Sequence, residues 1–418
     1  MLQNSNMNLD NMQSISSKTT QYVHPMLQYI IGSSETVANM ETIKPMKPFS
    51  DETLSFLNDL SKALLKSGRA YSDVATFGFW CRKSALEKEK QKYDDIKLRL
   101  GKGVVFHSTP SNVPVNFAFS FAAGLLGGNA NIVRIPGKSF EQVDIICSEI
   151  KNLLDKSHVN MAPYVAFVKY PPVKEITDFF CSISNTRVVW GGDGTINEMR
   201  QSPLRPRANE ITFADRHSIA VIDADVYLAT EDKDRIGQDF YNDTYFSDQN
   251  ACTAPRVIIW LGKEKEKAKE LFWKKVHELV KAKYTMAPVQ AVSKLTAFYR
   301  AASQIDIKLV VSKETSCDQL ITRIKVENLE NLMKFKHNSG FFFEYDANSI
   351  DEILPLCDER CQTLTYCGVN SELIHDFIMR CKPRGIDRAV PMGKSMDFAL
   401  VWDGHDLIRE MSRRVSII

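Results

Sequence analysis

Four groups of residues have types and spacing that can do chemistry. The first is the turn Gly191-Gly-Asp-Gly-Thr195, between an apolar run, Thr186 to Trp190, and a helical stretch toward Arg200. Glycines at such a turn let the backbone approach a ligand, and the helix N-terminus offers free N–H groups to a phosphate. The spacing is not the G-x-G-x-x-G of dinucleotide sites, and a plain tight turn would use the same glycines. Gly191, Gly192, Gly194 and Thr195 are therefore candidate cofactor contacts. The second group is Cys252, in Asp248-Gln-Asn-Ala-Cys-Thr-Ala-Pro-Arg256. Most cysteines are small buried apolar residues. This one lies in a polar loop that feeds an apolar run, a position that can present a nucleophilic thiolate to a cleft. The third is Asn112, stiffened between Pro110 and Pro114. A fixed amide can donate to a developing oxyanion, although turn-forming is the commoner use of asparagine. The fourth is Arg134 with Lys138, a basic pair able to bind the extra phosphate of NADP, or else a solvated pair.

These residues need elements to position them. Ser50 reads as an N-cap before Leu54, Leu57, Leu60 and Leu64 at helical spacing. From Gly103 the pattern alternates. Apolar strand runs at 103–107, 131–135, 164–168, 186–190 and 217–222 are separated by helical stretches at 115–126, 141–154 and 178–182. The Phe117, Phe119 and Phe121 series suits core packing better than an acyl channel. After Asp225 come a helix over 232–240, the Cys252 loop, a strand over 256–260 and a charged helix over 263–283. Strands alternating with helices predict βαβ units and a mostly parallel sheet.

Composition sets limits. The chain has 418 residues, enough for two or three domains. Its 53 Lys and Arg balance 51 Asp and Glu, so it has no global field for nucleic acid or an anionic membrane. The longest apolar stretch, 113–128, is broken by Asn116 and Ser120 and falls short of the ~20 residues a spanning helix needs. The first residues lack a secretory pattern. Nine cysteines in no disulfide-like spacing favour a reducing cytoplasm. Cys357, Cys361, Cys367 and His375 are not spaced as zinc ligands, so no metal is expected.

Read together, five segments resemble one family. They are Phe106 to Ser120, Gly124 to Arg134, Trp190 to Glu198, Tyr245 to Arg256 and Val390 to Phe398, and in this order they look like the LuxC-type fatty acyl-CoA or acyl-protein reductases of the aldehyde dehydrogenase superfamily. The resemblance covers roughly residues 50 to 410, and the Cys252 block is its most specific part. It implies an aldehyde-dehydrogenase-like α/β fold: a flexible tail over 1–20, a Rossmann-type cofactor domain over 21–222, an α/β catalytic domain over 223–392, and a C-terminal extension over 393–418 with a possible oligomerisation strand, Phe398 to Trp402.

The same resemblance implies roles. Cys252 falls on the catalytic thiol and Asn112 on the oxyanion donor. Arg134 falls where the superfamily holds the adenosine ribose, and 191–195 falls beside the cofactor pyrophosphate. The general base falls near Glu210, with His217 the nearest other acid–base group. The superfamily's later glutamate, which holds the nicotinamide ribose, has no clear match. The implied reaction is NADPH-dependent reduction of a fatty acyl thioester to aldehyde through an acyl-cysteine. An acyl-CoA or an acyl-activating synthetase partner and a homo-oligomer are implied with it. Two alternatives stand beside this reading. Gly191 to Thr195, continued by Ile196-Asn197-Glu198, also matches the GGDGT signature of lipid and NAD kinases, and a non-catalytic acyl-accepting subunit would keep the fold.

Overall fold

The computed structural model describes residues 22–110, 113–311 and 318–417. Asn112 and the 1–20 tail lie outside the described residues. The chain divides into two compact units. One comprises residues 1–212 with 407–418 and the other 213–406.

In the first unit Ser50 caps the helix Asp51–Ser67, its side chain accepting from the Thr53 amide at 3.3 Å. Leu54, Phe56, Leu57, Leu60 and Leu64 form the buried stripe. Each such side chain stabilises the fold by about 1.5–3 kcal/mol. The sheet runs Gln28–Ile31, Val165–Lys169, Ala130–Arg134, Val104–Ser108, Thr186–Trp190, Asn209–Phe213. The middle four strands are parallel. Their near-continuous apolar runs suit strands covered on both faces. The chain steps outward from Val104–Ser108 to Ala130–Arg134 and Val165–Lys169. It then returns to lay Thr186–Trp190 on the other side of Val104–Ser108, and this reversal is the switch point of an open α/β sheet. Phe117 and Phe121 are fully buried against Phe167, and Phe119 packs on Phe77 and Trp80.

A buried polar chain crosses the switch point. Trp190 Nε1 donates to Ser120 Oγ at 3.0 Å, and Ser120 Oγ lies 2.7 Å from His107 Nδ1. His107 Nε2 meets Asn131 Oδ1 at 2.9 Å. Burial pushes the His107 imidazole down to about 4. A neutral ring with its proton on Nε2 satisfies every partner.

The second unit has a seven-stranded sheet. Its order is Ile307–Val310, Thr322–Val326, Phe341–Asp346, Pro255–Leu261, His217–Asp223, Cys361–Cys367, Arg388–Pro391. All pairs are parallel except the first, an antiparallel edge. Strand alternation sends Ile219, Val221, Val257 and Ile259 to one core and Ala220, Ile222, Ile258 and Trp260 to the other. In the second core the buried Glu344 carboxylate accepts from Trp260 Nε1, Trp273 Nε1 and Arg323 Nε at 3.0, 2.7 and 2.8 Å.

The division differs from the expected boundaries at 222 and 393. His217–Asp223 pairs with Pro255–Leu261 and Cys361–Cys367, so the second unit takes it. The end of the chain returns to the first unit, where Ser412–Arg414 pairs antiparallel with Arg99–Gly101. The expected strand over Phe398 to Trp402 is only Val401–Trp402, folded back on His405–Asp406.

Candidate active site

In the first unit the candidate cofactor residues follow the C-terminal ends of parallel strands. Gly191 follows Trp190, Lys138 lies in the loop after Arg134, and the loop toward Asn112 leaves Ser108. Thr109 Oγ1 donates to the Arg134 carbonyl at 2.8 Å and anchors that loop's base. Gly192 is the N-cap of the helix Asp193–Met199, which has no side-chain cap. A Cβ at Gly191 would meet the Thr195 side chain at 3.0 Å, whereas one at Gly192 or Gly194 would meet nothing within 4 Å. Open space above uncapped backbone at a switch point fits a nucleotide pyrophosphate. The Arg134 guanidinium is stacked 4.4 Å from the Tyr170 ring centroid and donates to the Tyr170 carbonyl at 3.2 Å. Lys138 is exposed.

Glu210 belongs to a clamp. Its Oε2 accepts from Arg187 Nε at 2.9 Å and Oε1 from Arg200 Nε at 2.8 Å. Arg187 Nη1 also donates to the Met199 and Ser202 carbonyls, both at 2.7 Å, which closes the short helix onto the sheet. Both Glu210 oxygens are thus engaged by guanidinium groups.

In the second unit Cys252 sits half-buried in a tight turn closed by Ala254 N donating to Ala251 O at 3.1 Å. The turn precedes the strand Pro255–Leu261, whose seven residues are all buried. Neighbouring side chains pin the loop. Gln249 Nε2 donates to the Pro255 carbonyl at 3.1 Å, and its Oε1 accepts from Gly340 N at 2.8 Å. Arg256 donates to the carbonyls of Gln249 and His337. Asp248 and Gln249 take left-handed φ values of 50° and 53° to make the bend. Ser218 Oγ donates to the Cys252 carbonyl at 2.7 Å.

Gln362 approaches the sulfur from the adjacent strand. The pairing of Cys361–Cys367 with His217–Asp223 shifts register between Cys361 and Thr363, so Gln362 is the extra residue of a bulge. Bulges re-aim side chains. Gln362 Nε2 donates to Asp403 Oδ1. Asp403 and Gly404, both at positive φ, link Val401–Trp402 to His405–Asp406 in a two-residue hairpin. Arg216 completes the group, bound to Asp387 and to the Cys361 carbonyl.

Burial, helped by the Asp403 carboxylate, pushes the Cys252 thiol up to about 12, against the pull of Gln362 and Arg216. Burial pushes Asp403 up to about 7, with Asp387 in support and Arg216, His405 and Arg388 opposing.

His217 does not join this group. It neighbours Ser218 in the strand, yet its Nε2 lies 3.2 Å from the Leu356 carbonyl, in the core that holds Leu356 and Cys361. Asp403 carried a sequence signal, the Asp-Gly pair between Trp402 and His405. Gln362 carried none, because its bulge exists only in the strand pairing. Among the described residues no cluster of three His, Cys, Asp or Glu side chains is placed to hold a metal ion.

The fold is that of the aldehyde dehydrogenase superfamily. An NAD-dependent benzaldehyde dehydrogenase from Corynebacterium glutamicum matches with a TM-score of 0.62 at 13% identity, over 91% of this chain and 88% of that one. An oxidoreductase from Marinobacter aquaeolei matches with a TM-score of 0.64 at 13% identity, over 91% and 89%. Aldehyde dehydrogenase 21 from Physcomitrella patens matches with a TM-score of 0.62 at 13% identity, over 90% and 87%. No curated protein matches the chain at a significant level.

Within that class, the acyl-CoA reductase (LuxC) family model matches residues 34–414, and the chain belongs to this family. It is an oxidoreductase acting on acyl thioesters. The match spans both the glycine turn and the Cys252 loop, so the GGDGT segment is part of a reductase. No described helix is long and apolar enough to cross a membrane.

Proposed function

We propose that this chain reduces a fatty acyl thioester to the aldehyde through an acyl-cysteine on Cys252, using NADPH. The observation that carries the reading is the setting of Cys252. It is a half-buried thiol on a pinned turn, faced by an amide, an arginine and a carboxyl of raised affinity for protons.

Gly191, Gly192, Gly194 and Thr195 would hold the cofactor pyrophosphate. Arg134 and Lys138 would meet its adenosine end and favour the extra phosphate of NADPH. Bound there, the nicotinamide nucleotide supplies the hydride that reduces the acyl carbon. Cys252 attacks the incoming thioester, and the donor thiol departs. The Cys252 backbone N–H would donate to the oxygen that becomes negative in each addition, and Asn112 is the second donor that the family resemblance implies. Collapse then releases aldehyde and the Cys252 thiolate, which takes up a proton from solvent. Because the free thiol is pushed up to about 12, neutral pH leaves only a trace of thiolate, and a proton acceptor must stand nearby.

The acyl donor is an acyl-CoA or an acylated synthetase partner, and the working form is a cytoplasmic homo-oligomer. The test is oxidation of NADPH and of NADH by the purified chain with a long-chain acyl-CoA, with aldehyde quantified. Aldehyde formed at the expense of NADPH, and abolished in Cys252→Ser, supports the reading. Equal use of NADH removes the NADPH preference, and turnover surviving in Cys252→Ser removes the thiol.

A further inference from the structure

The buried polar chain at the switch point of the first unit takes no part in the proposed chemistry. Its Ser120, His107 and Asn131 have the residue types of a nucleophile, a base and an orienting amide. All three are 2% exposed or less, so no substrate reaches them. The geometry gives the chain another use. We propose that Ser120, oriented by His107, is a positioning residue of the cofactor site, acting through the Trp190 indole to fix the strand end from which the Gly191 turn leaves. The inference deepens the proposed function and rests on the 191–195 turn as the seat of the nucleotide pyrophosphate.

The turn has no side chains at Gly191, Gly192 and Gly194 to anchor it, and its helix, Asp193–Met199, has no side-chain cap. Its flanks therefore set its place. At the far end Arg187 Nη1 holds the carbonyls of Met199 and Ser202. At the near end stands Trp190, 8% exposed, whose Nε1 donates at 3.0 Å to Ser120 Oγ in the helix Asn116–Leu126. Through His107 the chain continues into the strand Val104–Ser108, and through Asn131 into Ala130–Arg134.

The direction of each bond is fixed. An indole N–H only donates. Asn131 Nδ2 donates to the Asn129 carbonyl at 2.8 Å, so Asn131 Oδ1 accepts from His107 Nε2. His107 Nδ1 then accepts the Ser120 hydroxyl proton, and Ser120 Oγ accepts from Trp190. No member can turn without breaking a neighbour's bond, and such a satisfied buried network holds one geometry. The helix comes close enough only because residue 124 is glycine: a Cβ there would collide with Asn131 Oδ1 and His107 Nε2. Without the Ser120 hydroxyl the indole loses the acceptor that holds it, and Gly191 is the next residue along the chain.

The test is calorimetric titration of the full chain with NADPH, at a temperature where thermal melts show each variant folded. Ser120→Ala, which removes one oxygen atom, should weaken binding about tenfold. Trp190→Phe, which removes the donor from the other end of the same bond, should weaken it at least as much. The double variant should bind within about twofold of Trp190→Phe alone, because both changes break one bond. Gly194→Leu in the same titration tests the cofactor turn itself. A role confined to packing would lower the melting temperature of Ser120→Ala and leave its affinity at the wild-type value. That result, beside lost affinity in Gly194→Leu, overturns the positioning role and leaves the cofactor turn standing, as do losses that multiply in the double variant. Wild-type affinity in Gly194→Leu overturns the cofactor turn, and the positioning role with it.

Discussion

Ser218 Oγ donates a 2.7 Å hydrogen bond to the carbonyl oxygen of Cys252. The same hydroxyl oxygen accepts from Thr363 N at 3.3 Å, so one side chain joins the thiol turn to two adjacent strands. Ser218→Ala should lower stability by about 1 kcal/mol, the usual worth of one buried hydrogen bond. By loosening the turn it should slow acyl transfer by roughly tenfold. Urea unfolding and single-turnover acylation read the two effects. Unchanged acylation with the expected stability loss would show that the bond holds the fold and not the thiol.

Asp403 has a consequence for stability with a definite sign. Its folded-state affinity for protons is raised, with half-protonation at about 7, above an unfolded value near 4. The folded state therefore gains from the proton. That gain is present in full below about pH 4 and is lost as pH rises through about 7. Asp403→Asn should then match wild type near pH 4 and exceed it at pH 8 by about 2–4 kcal/mol. Thermal melts at both pH values decide the matter, and a variant less stable than wild type at pH 8 contradicts the assignment.

Glu210 stands in an ion-pair clamp with its side chain only 16% exposed. Glu210→Gln should cost about 1–3 kcal/mol of stability, because Arg187 loses its buried charged partner. Turnover of the folded variant should stay within about twofold of wild type, since general acid–base catalysts contribute about 10²-fold or more. A loss of that size with unchanged stability would return Glu210 to the chemistry.

The glycine turn offers a separation of folding from binding. A Cβ at Gly194 meets nothing within 4 Å in the protein itself. Gly194→Leu should leave stability unchanged or raise it by about 0.5–1 kcal/mol, as a better helix former. It should weaken nicotinamide nucleotide binding at least tenfold, because the side chain fills the room a phosphate needs. Calorimetric titration with NADPH and NADH measures this, and undiminished affinity would move the cofactor elsewhere.

Much of this was readable from residues in local patterns. Ser50 as an N-cap, the buried run at 104–108 and the strand–turn–helix around Gly191 follow from side-chain period, caps and glycine, which act over a few residues. The polar loop carrying Cys252 into a buried strand is local in the same way. What was not readable depends on pairing between distant segments. The bulge at Gln362 arises from the mismatch of Cys361–Cys367 with His217–Asp223. The clamping of Glu210 needs Arg187 and Arg200 brought beside it. His217 and Ser218 are neighbours in sequence, and only the assembled sheet shows that one enters a core while the other meets the thiol turn. The boundary at Phe213 follows likewise from where the His217–Asp223 strand finds partners.

Whether Cys252 carries the acyl group is read by mass spectrometry of the acylated chain. The full chain is incubated with a long-chain acyl-CoA and no nicotinamide nucleotide, then digested and mapped. One added acyl mass is expected on the peptide containing Cys252, lost in Cys252→Ser and discharged as aldehyde when NADPH is added. An adduct on another residue, or aldehyde formed at undiminished rate by Cys252→Ser, would contradict it.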